Sequence, residues 1–245
     1  MINKSIYLSV IIPAYNEERR MKDTLLKIND YLSSQEFSSE VVIVNDGRAD
    51  NTLKVTKETL KQILLTSHIL SRERNRGKGY SVKEGVLQAQ GRFILFSDAD
   101  LSTPFEELEK LISWIDKDYD IVIGSRGLKD SDIQIHQSWL NEISRKIYNV
   151  LVQCYLIRGI KDTQCGFKLF KRAVAIDVFK RQRIEGFSFD VEILFIAKRL
   201  GYKIKEVPIV WRDSRPSKVR MPIVPFKMLG ELIKIRMRSK DKEKY

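Results

Sequence analysis

The sequence predicts an α/β protein whose mostly parallel central sheet is flanked by helices, and three features predict it. Short β-branched apolar runs alternate with amphipathic helical stretches through the first half. Each apolar run ends in acids, amides, glycine or arginine, a polar rim on an apolar sheet. At 245 residues the chain can bury a core large enough to need no disulfide staples, which makes one large domain with an appendage the expected organisation.

Taken in order, the first strand is "LSVIIPA" (8–14), followed by a helix near 18–33. "EVVIVND" (40–46) leads into a helix near 50–64, for which Asp50 is the expected cap. "HILSR" (68–72) precedes a helix near 78–89. "RFILFSD" (92–98) runs into a helix near 104–117, where Thr103 can cap, Pro104 can take the first turn and Glu106 can close a capping box. "DIVIGSR" (120–126) completes the series. In such sheets ligands sit beyond the carboxyl ends of the strands, so the residues there should carry the chemistry.

The second half is less regular. Leu140, Ile143, Ile147, Val150 and Leu151 share one helical stripe. Helical stretches near 172–180 and 189–200 precede a strand "KIKEVPIVW". A last helix near 223–238 puts Phe226, Leu229, Leu232 and Ile233 on one side and Lys227, Glu231, Lys234 and Arg238 on the other.

Charge narrows the partners. The net charge is +12, and Arg212 to Tyr245 holds 11 Lys/Arg against 4 Asp/Glu, so that segment supplies +7. Such a balance calls for an anionic partner: phosphate, nucleic acid or a membrane surface. No apolar run reaches the roughly 18–20 residues a span requires, and the first residues lack the pattern of a signal peptide. A cytoplasmic protein is expected. Cys154 and Cys165, with no CxxC or Cys/His cluster, suit a reducing compartment and argue against structural zinc.

"FILFSDADLSTP" holds the most informative acids. Of four Asp-x-Asp triplets, only Asp98/Asp100 follows a buried-looking strand and precedes a helix start. Two carboxylates in one loop raise each other's pKa unless a cation joins them, and a hard divalent ion, Mg²⁺ or Mn²⁺, fills that need with substrate phosphates completing its shell. The plain alternative is a turn with two exposed acids. In "VNDG", Asp46 suits a base edge or a ribose hydroxyl. "RERNRGKG" gathers Arg72, Arg74, Arg76 and Lys78 with Gly77 and Gly79 before a helix, either a phosphate nest or a solvated basic loop. His68 and His136 are isolated.

Together "PAYNEE", "VNDGRADNT", "RNRGKGYSVKEG", "SDADLSTP", "GSR" and "DTQCGFKLF", in this order, resemble the inverting family 2 glycosyltransferases of GT-A fold. More narrowly they resemble the dolichyl-phosphate (polyprenyl-phosphate) β-glucosyltransferases, over about residues 6–220. The resemblance implies a Rossmann-like GT-A domain over 1–220, its donor half 1–126 and its acceptor half 127–220, with a basic amphipathic membrane-surface tail over 221–245. It implies donor binding by Pro13, Ala14, Tyr15, Asn16, Glu17, Asp46, Arg74, Gly77, Lys78 and Ala99, with Asp98 and Asp100 holding the metal. Arg48 stands where the family usually has serine.

An acceptor hydroxyl would need a base, for which Asp162, Asp190 and Glu192 are the candidates; Asp190 and Glu192 sit about 200° apart on one helix, so both are not expected to face the cleft. A phosphate acceptor, with its second pKa near about 6, is already a dianion and needs cations, for which Arg126, Lys168, Arg215 and Lys218 are the candidates. The leading expectation is glucose transfer from UDP-glucose to a polyprenyl phosphate at the cytoplasmic face of a membrane, by a peripherally attached enzyme. GDP-mannose or another donor, or a glycan hydroxyl as acceptor, is the second. A basic nucleic-acid-binding module is remote, since Asp46, Asp98 and Asp100 would repel a phosphate backbone.

Overall fold

A computed structural model describes residues 5–135, 139–212 and 223–238. The first half follows the expected alternation: β1 (Leu8–Ala14), α1 (Met21–Ser33), β2 (Ser39–Asp46), α2 (Thr52–Leu60), β3 (Ser67–Arg72), α3 (Lys78–Gln88) and β4 (Phe93–Ser97). A 3₁₀ turn over Phe105–Glu107 then leads into α4 (Leu108–Ile115) and β5 (Ile121–Ser125). The second half adds β6 (Asp132–Ile135), α5 (Trp139–Tyr155), β7 (Phe167–Lys171), α6 (Arg172–Arg181), α7 (Phe189–Arg199), β8 (Ile204–Pro208), β9 (Val210–Arg212) and α8 (Ile223–Arg238).

Seven strands form one sheet in the order β3-β2-β1-β4-β7-β5-β8. All neighbours are parallel except β7, which runs antiparallel to both β4 and β5. The chain builds outward from β1 to β3 and then returns to place β4 on the other side of β1. Connections therefore leave β1 and β4 in opposite directions, and a crevice opens beyond their carboxyl ends. Period-two alternation gives the sheet two dry faces. Val10, Ile12, Phe93 and Leu95 pack toward α1 and α4, while Ile11, Ile94 and Phe96 pack toward α3, α6 and α7.

Four local expectations are corrected. "KIKEVPIVW" is not one strand: β8 joins the main sheet, whereas β9 pairs with β6 in a separate two-stranded sheet. The capping box at 103–106 does not form; the start is 3₁₀, and the Thr103 hydroxyl lies 4.0 Å from the Cys165 sulfur instead. Asn51, not Asp50, is the N-cap of α2, and the Asp50 carboxylate accepts from Thr52 N–H (3.0 Å) and from Glu18 N–H (3.2 Å), tying the β1 loop to the β2 loop. On α5 the buried side is Tyr148, Asn149 and Val152, whereas Ile147 and Val150 are each 57% exposed. The side chains of Leu140 and Ile143 lie outside the described residues. α8 seats Leu232 and Ile235 in the core on the α7 side. Among the described residues no helix is long and apolar enough to cross a membrane.

Candidate active site

The crevice predicted by the strand order is a cleft of about 770 Å³, large enough for a nucleotide sugar. Pro13, Ala14, Tyr15 and Glu17 enter it from the end of β1, Asp46 from β2, Gly77 and Lys78 from the start of α3, and Asp98, Ala99 and Asp100 from β4. Arg126, at the end of β5, completes the set on the far side of the sheet.

Backbone geometry marks the two central loops. Asn16 (φ 56°) and Leu101 (φ 46°) both occupy the left-handed region; for a leucine this costs on the order of 1–3 kcal/mol and persists only where surroundings impose it. The turn lets the Asp100 carboxylate accept from Ser102 N–H at 2.9 Å while its other oxygen stays 3.9 Å from Arg20, which itself binds Glu17 at 2.9 Å. Asp98 is held from both sides. Its N–H donates to the Gly166 carbonyl at 3.0 Å, and Lys78 Nζ lies 2.7 Å from its Oδ1. A Cβ at Gly166 would meet Asp98 Oδ2 at 2.0 Å, so only glycine leaves room for the carboxylate there.

The electrostatics follow. Burial pushes the Asp98 carboxyl above the usual carboxylate range; Lys78 opposes this, and the like charges of Asp100 and Asp190 reinforce it. Burial also opposes the charge on Lys78, but Asp98, Asp190 and Asp100 outweigh it and raise the amine above the ordinary lysine value. Two hard carboxylates, one paired with Lys78 and the other 3.9 Å from Arg20, fit a divalent ion that would take its remaining ligands from a diphosphate and water.

The basic loop is shaped by Asp46. Its two carboxylate oxygens accept the N–H groups of Arg76 (2.9 Å) and Gly77 (2.8 Å), and Arg72 lies at 3.3 Å. Gly77 has φ 113°, and a Cβ there would meet the Glu185 carbonyl at 2.4 Å. The amino end of α3 is thereby aimed into the cleft with its positive dipole end. Arg72 and Arg76 are stacked on Tyr80 and paired with Glu84 and Glu185, so they brace the loop. Arg74 is exposed and does not line the cleft.

The acidic candidates of the second half are buried beneath the cleft walls. Asp162 is fully buried and grips the Arg126 guanidinium through two contacts, Nε to Oδ2 at 2.6 Å and Nη2 to Oδ1 at 2.9 Å, and the Arg126 backbone N–H at 3.0 Å. Arg126 also lies 5.5 Å over the Trp211 ring. Lys168 is fully buried on β7, where it pairs with Asp190 and binds the Cys165 carbonyl. Lys168 is therefore a structural cation beneath the cleft floor, which corrects its expected contact with an acceptor. Glu192 is fully buried too, and accepts the N–H groups of Arg183 (2.9 Å) and Ile184 (2.6 Å). Arg215 and Lys218 lie outside the described residues.

A sequence profile described as "Glycosyl transferase family 2" matches residues 9–179. The chain belongs to that family. Among its family 2 relatives, the dolichyl-phosphate beta-glucosyltransferase of Dictyostelium discoideum is 40% identical over 245 residues, covering 96% of this chain and 75% of that protein. The Saccharomyces cerevisiae enzyme of the same name is 39% identical, with coverage of 96% and 75%; the Homo sapiens one is 33% identical, with 94% and 75%. Among solved structures, mannosyl-3-phosphoglycerate synthase from Rubrobacter xylanophilus superposes with a TM-score of 0.72 at 14% identity, covering 97% of this chain and 75% of that one. Glucosyl-3-phosphoglycerate synthase from Mycobacterium tuberculosis, solved with Mn²⁺, UDP-glucose and glycerol 3-phosphate, superposes at 0.68 with 15% identity, covering 95% and 80%. At such identities these two establish the GT-A fold.

Sequence reasoning missed several residues that line the family 2 cleft: Arg20, Gln164, Arg183, Trp211 and the α8 face of Glu231, Lys234 and Arg238. Gln164 sits within "DTQCGF", and Glu231, Lys234 and Arg238 stand on the polar side of the last helix. Nothing local distinguishes them; only tertiary placement brings α8 onto the cleft.

Proposed function

We propose that this family 2 enzyme transfers glucose from UDP-glucose to a dolichyl-type polyprenyl phosphate, with inversion at the anomeric carbon. The names of its curated relatives support this reading. One observation in the site carries it: the three carboxylates that the sequence offers as a base are each engaged with other groups of the chain, Asp162 with Arg126, Asp190 with Lys168, and Glu192 with two backbone amides. A hydroxyl acceptor needs a base within reach. A phosphate monoester is mostly ionised at neutral pH and needs only cations.

In this reading Asp98 and Asp100 hold Mg²⁺ or Mn²⁺, and the ion supplies Lewis-acid stabilisation of the departing diphosphate. Lys78 and the amino end of α3 add fixed positive charge on the same side, at no cost of reorganisation. Pro13, Ala14, Tyr15 and Glu17 form the nucleoside wall, with Asp46 shaping the loop that faces it. Arg126, held rigid by Asp162 and Trp211, positions the acceptor phosphate for attack from the opposite side of the sugar ring. Arg126 aside, residues 1–126 serve the donor and 127–220 the acceptor, and α8 with the basic tail rests peripherally on the cytoplasmic face of a membrane, with no role for nucleic acid.

The test is transfer itself. Purified protein is incubated with Mn²⁺, a polyprenyl phosphate and a panel of radiolabelled nucleotide sugars, and the organic phase is counted. Label from UDP-glucose should enter it; label entering only from GDP-mannose, or only a glycan product, would replace this reading.

A further inference from the structure

The chain leaves α6 with backbone amides still to satisfy. Gln182 turns it out of the helix (ψ 135°), so the N–H groups of Arg183 and Ile184 fall outside the helical hydrogen-bond ladder. Both donate to a single atom, Glu192 Oε2, at 2.9 and 2.6 Å. Glu192 stands in the first turn of α7, is fully buried and does not line the cleft. Hydrogen bonds to a charged oxygen are about twice as strong as neutral ones, so this carboxylate pins the loop firmly. Its other oxygen, Oε1, lies 4.0 Å from Arg238 Nη1.

The loop so fixed is the seat of α3. The Glu185 carbonyl accepts from Tyr80 N–H at 3.2 Å, capping one of the amides that a helix start leaves open. Gln182 Nε2 donates to the Gly79 carbonyl at 3.0 Å and to the Ile184 carbonyl at 2.7 Å. A Cβ at Gly79 would meet the Ile184 carbonyl oxygen and Phe189 Cβ, each at 2.6 Å, so the helix start rests directly on the loop and on the first residue of α7. Farther along α3, Lys83 Nζ donates to the Gln182 carbonyl at 2.7 Å. Lys78 leaves the same first turn and places its Nζ 2.7 Å from Asp98 Oδ1. A continuous path of contacts therefore runs from Glu192, through two loop amides, to the helix start that carries Lys78.

We infer that Glu192 is a positioning residue for the donor diphosphate: its carboxylate fixes the 182–185 loop, and the loop fixes where α3 puts Lys78. The inference rests on the donor half of the proposed function, the departure of a nucleoside diphosphate beside Lys78, and on neither the sugar nor the acceptor. It separates Glu192 from a general base by what each role requires. A base needs a carboxylate that reaches the acceptor. A clamp needs only an oxygen that accepts two amides, and glutamine carries one.

The experiment measures binding of UDP and of GDP, each with Mn²⁺, to the full chain by calorimetry, with steady-state transfer alongside. Wild type should bind UDP. Glu192→Gln should keep most of that affinity and of the turnover. Glu192→Leu strands two amides and should weaken UDP binding about tenfold, raising the KM for the nucleotide sugar and leaving that for the polyprenyl phosphate unchanged. Because the effect passes through Lys78, Glu192→Leu should add little to the loss already present in Lys78→Gln. Should Glu192→Leu fail to fold, Gln182→Met, which deletes the bond from the loop to the Gly79 carbonyl at similar volume, reads the same clamp and should weaken UDP binding in the same way. Wild-type UDP affinity in Glu192→Leu or in a folded Gln182→Met overturns the inference, as do losses that add fully to that of Lys78→Gln. A collapse of kcat in Glu192→Gln with UDP affinity intact would make Glu192 a base and overturn it too. GDP bound in place of UDP, with the same pattern of losses, would refute the UDP donor and leave the clamp standing; no Mn²⁺-dependent binding of either nucleotide would overturn both.

Discussion

Lys78 Nζ lies 2.7 Å from Asp98 Oδ1, so the acidic dyad after β4 carries its own counter-cation. A divalent ion must share or displace that lysine. In Lys78→Gln, Asp98 loses its cation and the pair keeps only Arg20, 3.9 Å from Asp100, so Mn²⁺ alone should raise Tm by more than it does in wild type. Turnover should nevertheless fall by about 10- to 1,000-fold, because a fixed charge on the leaving group is gone. Asp98→Asn with Asp100→Asn should abolish both the Mn²⁺ shift and transfer. An unchanged response to Mn²⁺ in that double variant would remove the dyad from the metal's coordination.

Gly166 tests how closely that carboxylate is held. Its φ is not in the left-handed region, so alanine carries no backbone strain, yet the new Cβ would sit 2.0 Å from Asp98 Oδ2. Gly166→Ala should cost about 1–3 kcal/mol of stability and at least about 100-fold in kcat, since a misplacement of about 1 Å can cost that much. Urea unfolding and steady-state kinetics separate the two effects, and wild-type kcat would show the contact to be unimportant.

Lys168 and Asp190 form a buried ion pair between β7 and α7. Removing one partner strands the other, so Lys168→Met or Asp190→Asn should each destabilise the fold by about 3–5 kcal/mol, while Lys168→Met combined with Asp190→Leu should cost much less. A double-mutant cycle in urea reads this directly. Additive costs would mean that the pair is not coupled.

Burial pushes the Cys165 thiol from 9.0 up to about 11, with Asp162 adding to the shift, whereas Cys154 is exposed. At pH 8 a thiol reagent should therefore label one cysteine per native chain and two after unfolding. Tyr31 rises from 10.0 to about 12, first through burial and then through Glu109 and Glu106. Both groups hold their protons more tightly when folded. Their contribution to stability is complete below the unfolded values and is lost as pH climbs from about 9 through 12. Tm should fall across that window, and Cys165→Ala should flatten the segment between pH 9 and 11.

The sequence alone determined β1 to β5, the helices between them and the acid-rich strand ends, because strands buried on both faces are written as continuous apolar runs with polar stops. It also pointed to Asp98/Asp100, whose spacing after such a run is chemically unusual. It did not reveal β7, since "FKLFK" reads as a polar-interrupted stretch until Asp190, 22 residues away, neutralises Lys168. Nor could it assign Asp162, Asp190 and Glu192, which look like free acids until their distant partners are seen. The polar side of α8 became a cleft wall for the same reason. Periodicity records which side of an element is buried, whereas the partner it is buried against is set by contacts far apart in the chain.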